Sequence, residues 1–185
     1  MRKLSLNRNG CLVEESPSAI FEVETMSTGK ARIALSVPDD QGGLFARLVR
    51  LLPPPFYVLY ILHTTRGEGE TGRYQSDELS AQELSRLLDR YASFFAGDGR
   101  HDLWVHSPGS GFTLVWDRHN FLFVEGEPLD DIRRVLMDLG FHEGRLEPLE
   151  AHAHHYRAEF DEDAASLLDE IDWHRTPLRP EDVQW

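Results

Sequence analysis

A chain of 185 residues, 41% of them hydrophobic, is long enough to bury a core that needs no metal or disulfide to hold it together, and its length predicts one domain over residues 1–185. The formal net charge of −13, from 32 acids against 19 bases, argues against nucleic-acid binding, since a field of that sign repels phosphate backbones. The single cysteine, Cys11, rules out an intrachain disulfide, and no apolar run approaches the roughly 20 residues of a membrane helix.

Residues 1–8 are basic, but no apolar stretch follows them, so no signal peptide is expected and the expected location is the cytoplasm. Residues 1–19 have no clear period and predict a loosely held arm. Residues 20–24 alternate apolar and polar, as a short strand does. A turn over 27–30 leads into a second strand over 31–37, with Ile33, Leu35 and Val37 on one face. Asp39 or Asp40 is placed to cap a helix running to about Leu52, and Leu44, Phe45, Leu48, Val49 and Leu52 make its apolar face. Pro53, Pro54 and Pro55 stop it. Residues 56–65 are apolar with little alternation, which predicts a central strand covered on both faces. Residues 66–73 read as a flexible loop, whose glycines lack the spacing of a phosphate loop.

Ser80 with Glu83 forms a capping box, opening a helix whose buried stripe runs from Leu84 to Phe95 and which Gly97 ends. Three apolar runs follow, at 103–105, 112–116 and 121–124, separated by turn residues. They predict an antiparallel meander, and the fold is argued outward from it. A helix over 130–139 is closed by Gly140. Short strands are expected over 141–149 and 156–160, and an acidic helix over 161–171. Residues 173–185 are a proline-broken tail, docked by Trp173 and Trp185. The fold class is α+β: mainly one antiparallel sheet of about five to seven strands, with three to four helices packed mostly on one face.

Two constellations carry candidate chemistry. In the segment 151–156, a strand would point His152 and His154 the same way and His155 the other. Two histidines at that spacing, with a carboxylate, suit a divalent metal such as Zn²⁺ or Fe²⁺, although no known spaced motif is present. Otherwise the segment is a polar edge strand and the protein has no cofactor. The second constellation is a pair of triplets, Arg100-His101-Asp102 and Arg118-His119-Asn120. If the first meander strand ran beside the third, both triplets would meet at one end of the sheet. His101, Asp102, Arg118 and His119 would then supply an oriented base and an anion-binding cation. The competing reading is structural, with Asp and Asn bonding turn backbone and arginines pairing with Asp98 or Asp117.

Charge is spread unevenly. Residues 125–172 carry 4 bases and 15 acids, a net of −11. Such a surface would attract a basic protein partner, with Glu159, Asp161, Glu162 and Asp163 as its candidate binding residues. The phrases around Gly99–Trp104, Asp117–Asn120 and His152–Tyr156 resemble phrases in uncharacterised bacterial proteins, and no named family, activity or residue role comes with that resemblance. The 17 arginines against 2 lysines fit a GC-rich bacterial genome. By size and charge alone, some acidic bacterial proteins of this length are immunity proteins that neutralise a toxin. Two functions follow as expectations. The first is a non-enzymatic protein-binding or immunity-like domain that uses its acidic C-terminal third. The alternative is a small metal-dependent or histidine-based enzyme built from His101, His119, His152 and His154.

Overall fold

A computed structural model describes residues 2–182. Its strands are β1 (Leu4–Arg8), β2 (Cys11–Val13), β3 (Ile20–Thr25), β4 (Ala31–Ser36), β5 (Tyr57–Leu62), β6 (Gly72–Gln75), β7 (His101–Ser107), β8 (Phe112–Trp116), β9 (Phe121–Glu125), β10 (His142–Glu143), β11 (His152–His154) and β12 (His174–Thr176). The helices are α1 (Leu44–Val49), α2 (Ala81–Arg90), α3 (Ala92–Gly97), α4 (Asp130–Asp138) and α5 (Asp161–Glu170). Nine strands form one sheet in the order β10-β3-β4-β9-β8-β7-β5-β6-β12, and β11-β1-β2 form a second. Every pairing is antiparallel except that of β10 with β3. The class is therefore α+β, with more strands than the five to seven expected and five helices rather than three to four. No described helix is long and apolar enough to cross a membrane.

Alternation sets the layering. Ile33 and Leu35, Val58 and Tyr60, Leu103 and Val105, Leu114 and Trp116, and Leu122 and Val124 all enter one buried cluster. All five helices add side chains to it, among them Phe45, Leu87, Phe94, Leu136 and Leu167. The intervening residues Ala34, Trp104, Val115 and Phe123 lie outside that cluster, on the other face of the sheet.

Several expected elements are redrawn. The helix over 39–52 splits into a 3-10 turn, Asp39–Gln41, and α1, because Gly42 and Gly43 weaken the join. The capping box of α2 forms as predicted, with Glu83 N donating to Ser80 Oγ and Ser80 N to Glu83 Oε2. The helix it opens breaks at Tyr91. The loop expected over 66–73 ends in β6, which pairs with β5 and β12. The strand expected over 141–149 is only the two residues of β10. The segment 156–160 ends in a 3-10 turn, and the strand of that region is β11, four residues earlier.

The arm expected to be loosely held is pinned over its paired strands, β1 and β2. Leu4 and Leu6 alternate with Ser5, and β1 pairs with both β2 and β11. Lys3, just before β1, is fully buried: its Nζ donates to the Asp117 carbonyl at 2.9 Å and lies 4.6 Å from the Trp116 ring centre. In the tail, β12 pairs with β6, and Trp173 packs beside Tyr60 and Tyr74. Trp185 lies outside the described residues.

Candidate metal centre

The small sheet carries two histidines to the end of the large one. In β11, His152 and His154 flank Ala153 and point to one face, as their spacing predicts, with His154 opposite Leu4 and His152 opposite Leu6. His155 turns the other way, where its Nε2 meets Ser5 Oγ at 2.8 Å. Gly99 lets this strand approach: a Cβ there would lie 2.6 Å from the Lys3 carbonyl oxygen and 2.9 Å from His154 Nδ1. The Gly99 N–H instead donates to the His155 carbonyl at 2.8 Å.

The third histidine comes from the turn between β8 and β9. Asp117 Oδ1 accepts from the backbone N–H of His119 at 3.0 Å and of Phe121 at 2.8 Å, as an Asx turn does. Asn120 adopts the left-handed region, with φ of 64°, which asparagine tolerates better than most residues. Its side chain accepts from Trp116 Nε1 and donates to the Val37 carbonyl. The turn is thus fixed from both sides, and His119 projects from it toward β11.

The three imidazoles form a nearly equilateral group. Ring centres are 5.2 Å apart for His119 and His152, 5.1 Å for His119 and His154, and 4.9 Å for His152 and His154. One nitrogen from each lies within 4.8 Å of the others, and all three residues are half-buried. Ligands about 2.0–2.1 Å from a tetrahedral zinc stand about 3.4 Å apart, so small side-chain rotations would close this set on one ion. Outer partners fix two of the rings. His152 Nδ1 lies 2.9 Å from the Glu150 carbonyl, and His119 Nδ1 lies 3.2 Å from Asp117 Oδ2. Those oxygens only accept, so each Nδ1 carries the proton and leaves Nε2 with its lone pair, the arrangement that outer-sphere acceptors impose on metal-ligating histidines. Burial, then the neighbouring His119, His152 and Arg118, push the His154 pKa down to about 3. That ring is neutral and ready to ligate at any ordinary pH. His119 also lines a cavity of about 470 Å³, so the group borders a space large enough for a small molecule.

The triplets touch at one end of the sheet, where Asp102 meets the Arg118 backbone, but not through the strand pairing expected. β7 and β9 lie on opposite sides of β8, so the first meander strand never runs beside the third. His101 faces the helices, packed against Phe94, Phe95 and Tyr60, with ring centres 4.6, 5.5 and 5.2 Å away. It is fully buried, and neither ring nitrogen has a partner among the described residues. Burial first, then Lys3 and Arg100, hold its pKa well below the usual histidine range. His101 therefore belongs to neither the metal group nor a base dyad. Asp102 points the other way and pairs with His63 Nε2 at 2.9 Å, while accepting from the Arg118 backbone N–H at 2.7 Å. Burial tends to raise the Asp102 pKa, but the His63 hydrogen bond and charge, the Arg118 N–H and Lys3 together outweigh it and hold the carboxyl below its usual range. His63 was not among the sequence candidates. It follows an apolar strand with no carboxylate near it in sequence, so only the β5–β7 pairing reveals its partner.

Arg100 is a structural hub. It binds Asp98 through two hydrogen bonds, at 2.8 and 3.0 Å, and also reaches Glu68 at 2.9 Å and Asp161 at 3.0 Å. Asp161 is further engaged by Arg66. Of the four acids expected to face a partner, Asp161 is thus committed inside the fold, Glu159 and Glu162 are exposed, and Asp163 is half-buried. No family model, curated protein or solved structure matches the chain.

Proposed function

We propose that this protein is a small metal-dependent enzyme whose centre is a zinc-class divalent ion held by His119, His152 and His154. The observation that carries this reading is the convergence of three imidazoles from two separate sheets, two of them with oxygen acceptors behind them. Three neutral ligands leave the ion its full charge and a fourth position for water, the composition of hydrolytic zinc sites. The bound ion would supply an acidified water and a Lewis acid beside the cavity that His119 lines. The chain's own residues orient the rings, and burial keeps His154 unprotonated. The reaction class this favours is hydrolysis of an ester-like bond.

The immunity-like reading has less support, because Asp161 already serves Arg66 and Arg100. It survives in the exposed pair Glu159 and Glu162, and predicts partner affinity that falls steeply with salt. The enzymatic reading is tested by titrating metal-free protein with Zn²⁺ in competition with a chelating indicator, and by assaying zinc-dependent hydrolysis of aryl esters. One equivalent should bind. His119→Ala should weaken it by more than the roughly 10–100-fold that loss of an outer hydrogen bond costs, and abolish hydrolysis. Absence of tight binding by the wild type, or equal affinity in the variant, would refute the assignment.

A further inference from the structure

Arg2 lines the cavity beside His119, and its guanidinium is not fully paired. Arg2 spends Nε and Nη2 on Asp39, at 2.8 and 2.6 Å. Its Nη1 is buried and has no hydrogen-bond partner among the described residues, although the side chain is only 14% exposed and lines the cavity. A desolvated charged donor left unpaired is costly, by more than the ~1–3 kcal/mol of a neutral group, and such a donor is satisfied most simply by an oxyanion. Arg145 also lines the cavity, is exposed, and has no partner among the described residues.

The carboxylates on the wall do not cancel this. Glu15 and Glu150 are both occupied by Arg8, which leaves Glu147 among the lining acids. The rest of the wall mixes apolar side chains with polar ones such as Ser16, Ser18 and Ser36. Phe121 alternates with the buried Leu122, so it faces away from the helices and into this space, where Leu4, Leu146 and Leu149 also contribute.

We infer that the cavity binds an organic anion, with its carboxylate or phosphate head between the Arg2 and Arg145 guanidiniums and its apolar body against Phe121 and the leucines. This deepens the proposed function by naming its substrate class, and it rests on that reading for the link to catalysis, since His119 borders the same space. Anion binding itself does not require the ion, so the two claims separate in experiment.

The test uses the full chain, freed of metal, titrated by calorimetry with 4-phenylbutyrate and with phenyl phosphate. At least one probe should bind saturably at one site below 10 mM, and which one binds tells a carboxylate from a phosphate ligand. Arg2→Met should weaken that probe at least tenfold and Arg2→Lys less, with zinc affinity unchanged in both. His119→Ala should lose zinc and keep the probe. In the wild type, nuclear Overhauser contacts should link the probe's phenyl protons to the Phe121 ring, which keeps the test decisive even if an Arg2 variant fails to fold. No saturable binding of either probe, equal affinity in Arg2→Met, or contacts that lie elsewhere would overturn the inference. Failure of zinc to bind while the probe binds as described would overturn the metal centre alone.

Discussion

The Nζ of Lys3 donates to the main-chain oxygen of Asp117 at 2.9 Å, across 114 residues of sequence. Asp117 in turn holds both the backbone and the ring of His119. The N-terminal segment is therefore pegged to the turn that carries one candidate ligand, while β1 pairs with the strand that carries the other two. Burial lowers the Lys3 pKa from 10.5 to about 8, against the pull of Asp117, Asp102 and Asp98. Below pH 8 the group is charged in both states, and burying that charge destabilises the fold. Between about 8 and 10.5 the unfolded chain keeps a proton that the folded one has released, so this group's contribution to stability rises with pH. The stability of the wild type relative to Lys3→Met, by urea unfolding, should increase by up to about 3 kcal/mol across that window. A difference independent of pH would contradict the burial of a titrating amine.

Gly99, just before β7, lies against the backbone of the small sheet, and its N–H donates to the His155 carbonyl. Its missing Cβ would sit 2.6 Å from a backbone oxygen, which cannot swing away as a side chain would. Gly99→Ala should cost about 1–3 kcal/mol by thermal unfolding and, by shifting His154, weaken zinc binding as well. Full stability in the variant would mean that the small sheet is not held against the Gly99 backbone.

His101 has no polar partner among the described residues and an aromatic cage around it. Replacing it with an apolar side chain of similar volume removes an unsatisfied donor. His101→Leu should gain about 1–3 kcal/mol at neutral pH. The gain should widen as pH falls below 6.5, because there the wild-type unfolded chain takes up a proton that the buried ring refuses. Denaturant titrations at pH 7.5 and 5 measure this directly. A loss of stability in His101→Leu would show that the ring makes a polar contact after all.

Arg100 neutralises Asp98 and Glu68, both of which are buried with it. Arg100→Leu strands those carboxylates and should cost about 3–5 kcal/mol. Glu162→Gln, at an exposed position of α5, should stay within about 0.5 kcal/mol of wild type. Chemical denaturation of the two variants side by side tells the committed acids from the free ones.

Alternation and turn residues made the large sheet legible: β3, β4 and the β7–β9 meander sit where Ile33, Leu35, Leu103, Leu114 and Leu122 demand. β6 was hidden because it emerges from a glycine-rich loop and is defined by its partners rather than by its own pattern. β1 was not legible, because the Leu4-Ser5-Leu6 alternation is only three residues long and sets no clear period. The shared face of His152 and His154 followed from their spacing alone. His119 was grouped with His152 and His154, but His101 was added to the set, because strand order is a tertiary property and β7 and β9 flank β8 instead of touching.

The central claim is that three particular rings among the nine histidines share one ion. Long-range ¹⁵N–¹H spectra of the imidazoles, recorded while Zn²⁺ is added to one equivalent, test it at the atoms concerned. The account predicts that the nitrogens of His119, His152 and His154 shift together and saturate at one equivalent, while His63, His101 and His174 hold still. Saturation beyond one equivalent, or shifts led by other histidines, would contradict it.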